Sequence, residues 1–148
     1  MILGKALGAH VIAVSSSAEK LAFCREIGAD QTVNHSDGDI TDRVRELTGG
    51  RGVDVVFDPV GGELGKKALG CMARHGRFGI VGYASGGWVP VNVLEAVLKN
   101  HTLAGVFAGI CPHRKAAKYT RNWFDWRRQG RFIRRCVGFS HSPRCRRH

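Results

Sequence analysis

The sequence predicts an α/β fold built on an open parallel sheet, and three observations indicate it. Short β-branched runs, such as residues 11–14 and 53–57, alternate with segments of helical periodicity. These runs lack the polar and apolar alternation of a half-exposed strand, so both faces of the sheet should be covered. Serine, aspartate and glycine stand where the helices should begin and end. Strands that alternate with helices are joined by right-handed crossovers, which favours a parallel sheet of Rossmann type.

Each predicted element has its own local signal. The run at residues 11–14 is followed by a Ser-Ser-Ala-Glu sequence with the form of a capping box, and Gly28 can close the helix that it begins. Asp39 can cap the next helix, and a Gly-Gly turn precedes a helix with an apolar stripe from Leu64 to Met72. A short helix is expected near residues 93–98. The strands are predicted at residues 11–14, 31–33, 53–57, 77–81 and 102–107.

The charge of the chain is concentrated at one end. The formal net charge is +11, and all of this excess lies from residue 114 onward, where Asp125 is the single acidic residue. The preceding part is neutral overall, so it carries no general mark of polyanion binding. The arginine-rich segment shows no periodicity beyond one helix turn expected at residues 123–126, and it is predicted to be an irregular basic tail.

Cysteine usage and hydropathy favour a reduced, cytoplasmic protein. The 5 cysteines are odd in number and form no Cys-x-x-Cys pair, so neither a disulfide framework nor a zinc site is indicated. No segment approaches the roughly 20 apolar residues of a membrane span.

The segment after the run at residues 11–14 favours NADP over NAD. In a dinucleotide-binding sheet the end of the second strand, to which this run corresponds, meets the adenosine ribose, and NAD-specific proteins place a carboxylate there. This chain has three serines and then Lys20, which can surround a 2′-phosphate without repelling it. The alternative is that the serines only cap the helix.

Three longer motifs carry a family resemblance. GKALGAHVIAV at residues 4–14, LTGGRGVDVVFDPVGG at 47–62 and GRFGIVGYASG at 76–86 follow in order. Together they resemble the cofactor domain of the quinone-oxidoreductase branch of the zinc-independent medium-chain dehydrogenases/reductases. The resemblance extends from about residue 4 to about residue 131. It implies a fold with an NADP-binding domain, here residues 1–110, followed by the basic tail at 111–148.

The resemblance also implies a set of cofactor-binding residues. One group would lie at the adenosine phosphate, a second beside the ribose and nicotinamide, and a third under the nicotinamide face or in the same pocket. Plain turn chemistry is the alternative for the glycines, and core packing is the alternative for the last two residues. In this order the residues are Ser16, Ser17, Lys20 and His35; Val60 and Gly61; Gly82, Tyr83, Ala84, Ser85, Val106 and Phe107.

Two departures from the family pattern qualify the expectation. The family's first strand and phosphate-binding loop have no counterpart, so the strands at Val11 and Val53 would face each other with bare edges. The fold class expected is therefore α/β, a Rossmann-type open parallel sheet lacking its first strand and phosphate loop, with a basic irregular C-terminal tail. The family's catalytic domain is also missing. The histidines show no triad or metal-ligand spacing, so no catalytic or metal-binding residue is assigned.

The function implied by the resemblance is an NADPH-dependent oxidoreductase that transfers hydride to a quinone or an activated enone. This chain alone is expected to be inactive and to bind NADPH weakly if at all, without zinc. Reduction of an enoyl thioester is an alternative because the same cofactor domain serves both reactions. A basic nucleic-acid-associating protein is the alternative from another class, although the neutral core makes a nucleic-acid partner the weaker hypothesis. No membrane partner is expected, and a homo-oligomer is left open.

Overall fold

A computed structural model of the chain describes residues 1–107 and 135–139. Helices and strands alternate through the first of these ranges, as the sequence predicts. The helices are α1 (Ile2–Ala6), α2 (Ala18–Glu26), α3 (Ile40–Leu47), α4 (Gly62–Gly70) and α5 (Val93–Lys99). The strands are β1 (His10–Ser15), β2 (Gln31–Asn34), β3 (Val53–Asp58), β4 (Met72–Ile80), β5 (Thr102–Gly105) and β6 (Arg135–Phe139).

The strands form one sheet in the order β2-β1-β6-β3-β4-β5. Every neighbouring pair in it is parallel. The chain therefore has the α/β fold with an open parallel sheet of Rossmann type that the alternation of elements predicts. Since the strands run in one direction, their carboxyl ends all lie at one edge of the sheet, which is where such sheets bind ligands.

Strand β6 corrects one prediction about the tail. Residues 135–139 are not irregular: they pair in parallel with β1 on one side and with β3 on the other, and Val137 is in register with both Ile12 and Val56. The bare facing edges predicted at Val11 and Val53 are therefore wrong. Backbone N–H and C=O groups on the facing edges of β1 and β3 need partners, and a strand between them supplies these. The rest of the tail, including the helix turn expected at residues 123–126, lies outside the described residues.

The element boundaries differ from the predicted ones by a few residues. The cap of α2 is Ser17, whose side-chain oxygen accepts a hydrogen bond from the Lys20 N–H at 3.3 Å, so the cap lies one residue beyond the start of the predicted capping box. Strand β4 begins at Met72 rather than at residue 77, because a register shift in its ladder with β3 lets the pairing extend backward. Strand β5 ends at Gly105 rather than at residue 107.

The core lies between the middle of the sheet and the helices α3 and α4. Val56 on β3 and Phe78 on β4 are wholly buried, and they belong to one cluster with Ile40 and Val44 of α3 and Ala68 of α4. Full burial of an aliphatic or aromatic side chain stabilises a fold by about 1.5–3 kcal/mol. This packing fixes β3 and β4 against their helices, and it thereby fixes the turns at the carboxyl ends of both strands.

Candidate cofactor site

The predicted cofactor residues follow the carboxyl ends of the strands. They fall into two groups: one lies after β1 and β2, and the other lies after β3, β4 and β5. Strand β6 stands between the two groups in the sheet. Hydrogen bonds hold the segments of each group together.

The first group surrounds the end of β1. The His35 N–H donates to the Ser15 carbonyl at 3.1 Å, which holds the segment after β2 beside the segment after β1. Ser16 is exposed, Ser17 caps α2, and Lys20 lies one turn along the same helix. Ser17 therefore has the capping role. Ser16, which is exposed, and Lys20 do not cap the helix, and both lie at its start, where backbone N–H groups and the helix dipole favour an anion.

The second group begins with Asp58, a residue that the sequence reasoning gave no role. Asp58 is wholly buried at the end of β3. One carboxylate oxygen, Oδ1, accepts hydrogen bonds from the Val60 N–H at 2.8 Å and from the Gly61 N–H at 3.0 Å. The other oxygen, Oδ2, is buried without a hydrogen-bond partner among the described residues. A Cβ at position 65 would lie 2.5 Å from it, so Gly65 leaves the space that this oxygen occupies.

The turn after β4 is hydrogen-bonded to the turn after β3. The Ser85 N–H and the Ser85 hydroxyl both donate to the Val60 carbonyl, at 2.9 and 2.8 Å. The Ala84 N–H donates to the Pro59 carbonyl at 3.2 Å. The Val60 peptide groups are therefore held on both sides, by a carboxylate at the nitrogen and by two donors at the carbonyl.

Glycine is required where these two turns approach each other. Gly61 has φ +70°, and a Cβ there would overlap the carbonyl oxygen of Gly87. A Cβ at Gly82 would lie 2.8 Å from the carbonyl oxygen of Pro59. Packing therefore favours glycine at both positions, and the positive φ of Gly61 is a second reason for glycine there.

The remaining predicted residues are exposed. The Val106 N–H donates to the Ile80 carbonyl at 2.8 Å, which keeps the end of β5 beside the end of β4. The side chains of Val106 and Phe107 are 46% and 71% accessible, so core packing does not explain them. The Tyr83 ring packs against the Trp88 ring with centroids 4.6 Å apart. Apolar groups at this end of the sheet are thus open to a ligand or to further protein.

One local sequence signal could have indicated the hydrogen bonds of Asp58. An aspartate that follows an apolar strand and precedes a Pro-Val-Gly-Gly turn is in position to accept hydrogen bonds from the next backbone N–H groups.

A groove of about 560 Å³ lies between α2, β2 and α3, and it is lined by residues such as Leu21, Asn34 and Asp39. None of the predicted cofactor residues lines it.

Among the described residues, no group of three or more His, Cys, Asp or Glu side chains is arranged to hold a metal ion. No helix among them is both long and apolar enough to cross a membrane.

Comparison with known proteins places the chain in a family. Residues 1–122 match the model of the family described as zinc-binding dehydrogenase. The chain is 43% identical over 89 residues to a 2-haloacrylate reductase of Burkholderia sp., covering 60% of this chain and 27% of the relative. It is 41% identical over 105 residues to quinone oxidoreductase-like protein 2 of Bos taurus, covering 70% and 30%. It thus spans less than a third of the length of these curated relatives.

A solved structure of the same kind is similar in fold. The crystal structure of Escherichia coli quinone oxidoreductase complexed with NADPH superposes with a TM-score of 0.69 at 29% identity, covering 87% of this chain and 40% of that one. The curated relatives and this structure agree with the resemblance found in the three sequence motifs. The chain belongs to the zinc-binding dehydrogenase family, within its quinone-oxidoreductase branch.

Proposed function

We infer that this chain provides the NADPH-binding part of a reductase that transfers hydride to a quinone or to an activated enone. The observation that carries the proposal is the group at the end of β1, with an exposed serine at residue 16 and the Lys20 ammonium at the start of α2. Hydroxyl and ammonium groups can bind the 2′-phosphate that distinguishes NADPH from NADH. The bound nucleotide would supply the hydride, and the protein's part is to bind and orient it.

The other predicted residues would contact the adenosine and nicotinamide ends of the nucleotide, and binding is expected to be weak. His35 would lie near the adenosine phosphate, since its N–H is bound to the end of β1. Val60 and Gly61 would contact the ribose and nicotinamide through packing, because their N–H groups already donate to Asp58. Gly82, Tyr83, Ala84 and Ser85 would lie under the nicotinamide face, and Val106 and Phe107 would complete an apolar wall. No catalytic residue and no zinc ion are proposed.

The acceptor is proposed from the relatives. One relative is named for 2-haloacrylate, an electron-poor alkene, and others are named for quinones. Both are acceptors of a hydride at an electron-poor carbon or oxygen, so a small-molecule quinone or enone is the proposed substrate class. An enoyl thioester remains the alternative, because the matching part of the relatives is less than a third of their length. The cytoplasmic location expected from the sequence belongs to the same proposal.

Cofactor preference tests the proposal directly. We expect the chain to bind NADPH more tightly than NADH in equilibrium fluorescence titrations. Lys20→Glu should weaken NADPH binding by a factor of about 10 to 150 and leave NADH binding nearly unchanged, because a charge-assisted hydrogen bond is worth about 1.5–3 kcal/mol. Lys66→Glu is the matched control, since Lys66 is exposed on α4 and makes the same change of charge.

Two results would contradict the proposal. The first is equal affinity of the unmodified chain for NADPH and NADH. The second is an equal loss of NADPH affinity in the Lys20 and Lys66 variants, which would reduce the effect to net charge.

A further inference from the structure

The turn after β3 (residues 59–62) and the turn after β4 (residues 82–87) are held together by more than sheet pairing. Asp58, at the end of β3, accepts hydrogen bonds from the Val60 and Gly61 N–H groups of the first turn. Ser85 binds it from the second turn, through two hydrogen bonds to the Val60 carbonyl. These contacts connect a buried carboxylate, one peptide unit and an exposed serine in a continuous chain.

The Asp58 carboxylate has no other evident task. It is wholly buried, which is costly for an ionisable group unless hydrogen bonds compensate. Its Oδ1 makes two such bonds, both to the β3–α4 turn, and its Oδ2 makes none among the described residues. A buried polar group that accepts all its hydrogen bonds from one turn stabilises the conformation of that turn.

The Ser85 side chain is engaged in the same way. Ser85 is exposed, yet its hydroxyl lies 2.8 Å from the Val60 carbonyl and 3.3 Å from the Gly87 carbonyl. A hydroxyl has one proton to donate, so the shorter contact is its hydrogen bond. A side chain used in this manner positions a neighbouring backbone rather than holding a ligand.

We propose that Asp58 and Ser85 are positioning residues that lock the two turns into one preformed unit, so that the nicotinamide end of the site need not be ordered when the nucleotide binds. The proposal rests on the proposed function for the identity of the ligand. The coupling of the two turns is independent of it. Preformed backbone geometry raises affinity because less conformational entropy is lost on binding.

Amide hydrogen exchange of the ligand-free chain tests the coupling. Ser85→Ala should accelerate exchange in the other turn, at Val60 and Gly61, roughly fivefold, the equivalent of one hydrogen bond of about 1 kcal/mol. Asp58→Asn should accelerate exchange in its partner turn, at Ala84 and Ser85. Ser85→Thr keeps the hydroxyl and should restore protection. Asp54→Asn, on the same strand as Asp58, is the control and should change neither turn.

The same variants test whether the coupling of the two turns affects nucleotide affinity. Ser85→Ala and Asp58→Asn should each weaken NADPH and NADH by a similar factor of about 3–10, because both share the nicotinamide half. Faster exchange confined to the substituted turn would overturn the proposal, and so would unchanged affinity for both nucleotides in a variant whose turns have become uncoupled. If the unmodified chain binds neither nucleotide, the proposed function fails, and the exchange data alone decide whether the turns are coupled.

Discussion

The side of the sheet where the strands begin, here called the amino edge, and the side where they end, the carboxyl edge, use their polar groups differently. At the amino edge the polar groups make structural contacts: Asp30 accepts hydrogen bonds from Lys5 Nζ at 2.6 and 2.8 Å and from the Val11 N–H at 2.6 Å. At the carboxyl edge a buried carboxylate braces two turns, while Ser16 beyond β1 stays exposed. A parallel sheet with closed contacts at one edge can leave the other edge available for a ligand.

Displaced pKa values illustrate this difference. Burial alone would raise the pKa of Asp30, but the hydrogen bonds from Lys5 and from the Val11 N–H outweigh it and the pKa is lowered. Burial, followed by the nearby Lys99 charge, lowers the pKa of His101. Both groups lie at the amino edge. Displaced pKa values often mark functional sites, but for Asp30 and His101 the causes are structural contacts on the side away from the predicted cofactor residues.

The largest loss of unfolding free energy is expected at the carboxyl edge, where the turns after β3 and β4 approach each other most closely. Gly61→Ala should destabilise the chain by about 3 kcal/mol or more, because the new Cβ overlaps the Gly87 carbonyl and the residue must keep a positive φ. Gly86→Ala is the matched control: Gly86 also has a positive φ, but a Cβ there meets nothing within 4 Å. It should cost only about 1–2 kcal/mol. Urea unfolding followed by circular dichroism measures both.

The comparison measures how much the surroundings and the full conformation of Gly61 add to the strain of a positive φ. Equal destabilisation by the two substitutions would mean that the approach of the turns contributes nothing. A larger loss at Gly61 is the expected outcome, because both its φ of +70° with ψ of −155° and the nearby Gly87 carbonyl oppose a side chain there.

Most of this fold could be predicted from local sequence signals, but its long-range features could not. Alternating apolar runs, caps and glycines predict the helices and strands from β1 to β5, because each signal acts within a few residues. Helix α1 was not predicted from such a signal. Strand β6 was missed because its place depends on the gap between β1 and β3, which no local pattern near residues 135–139 reveals. The hydrogen bonds of Asp58 to the next turn had a local signal, but its complete burial and the space that Gly65 leaves for it depend on how β3 packs against α4.

A smaller effect is expected at the amino edge. The Thr48 hydroxyl donates to the Val44 carbonyl at 2.7 Å and accepts a hydrogen bond from the buried Gly52 N–H at 3.0 Å. Thr48→Val keeps the shape but leaves that N–H without an acceptor, so a loss of about 2 kcal/mol in unfolding free energy is expected. Thr48→Ser keeps the hydroxyl and should cost less than 1 kcal/mol. Similar losses for valine and serine would mean that the hydroxyl contributes no more than the methyl group, and would contradict the role given to its hydrogen bonds. NADPH affinity should be the same in both variants, since this edge lies away from the predicted site.

The smallest effect concerns His101, which lies just before β5 at the same edge. Its Nε2 is buried without a hydrogen-bond partner among the described residues, and its pKa is lowered by burial and by Lys99, against the opposing influence of Glu95 and of a hydrogen bond with the Ala73 backbone. A lowered histidine pKa means that the unfolded chain takes up the proton first. Stability should therefore fall as the pH drops through the unfolded value of about 6.5, and this loss should level off below the folded pKa. Because solvent screens a partly exposed group, the loss should stay well under 1 kcal/mol.

The side chain in His101→Gln is neutral throughout, so this variant should lack the pH-dependent loss of stability. Urea unfolding at pH 7.5 and 5.5 can measure the difference between the variant and the unmodified chain. An identical pH-dependent loss in both proteins would show that His101 is not its source, and the ratio of NADPH to NADH affinity should be the same in both.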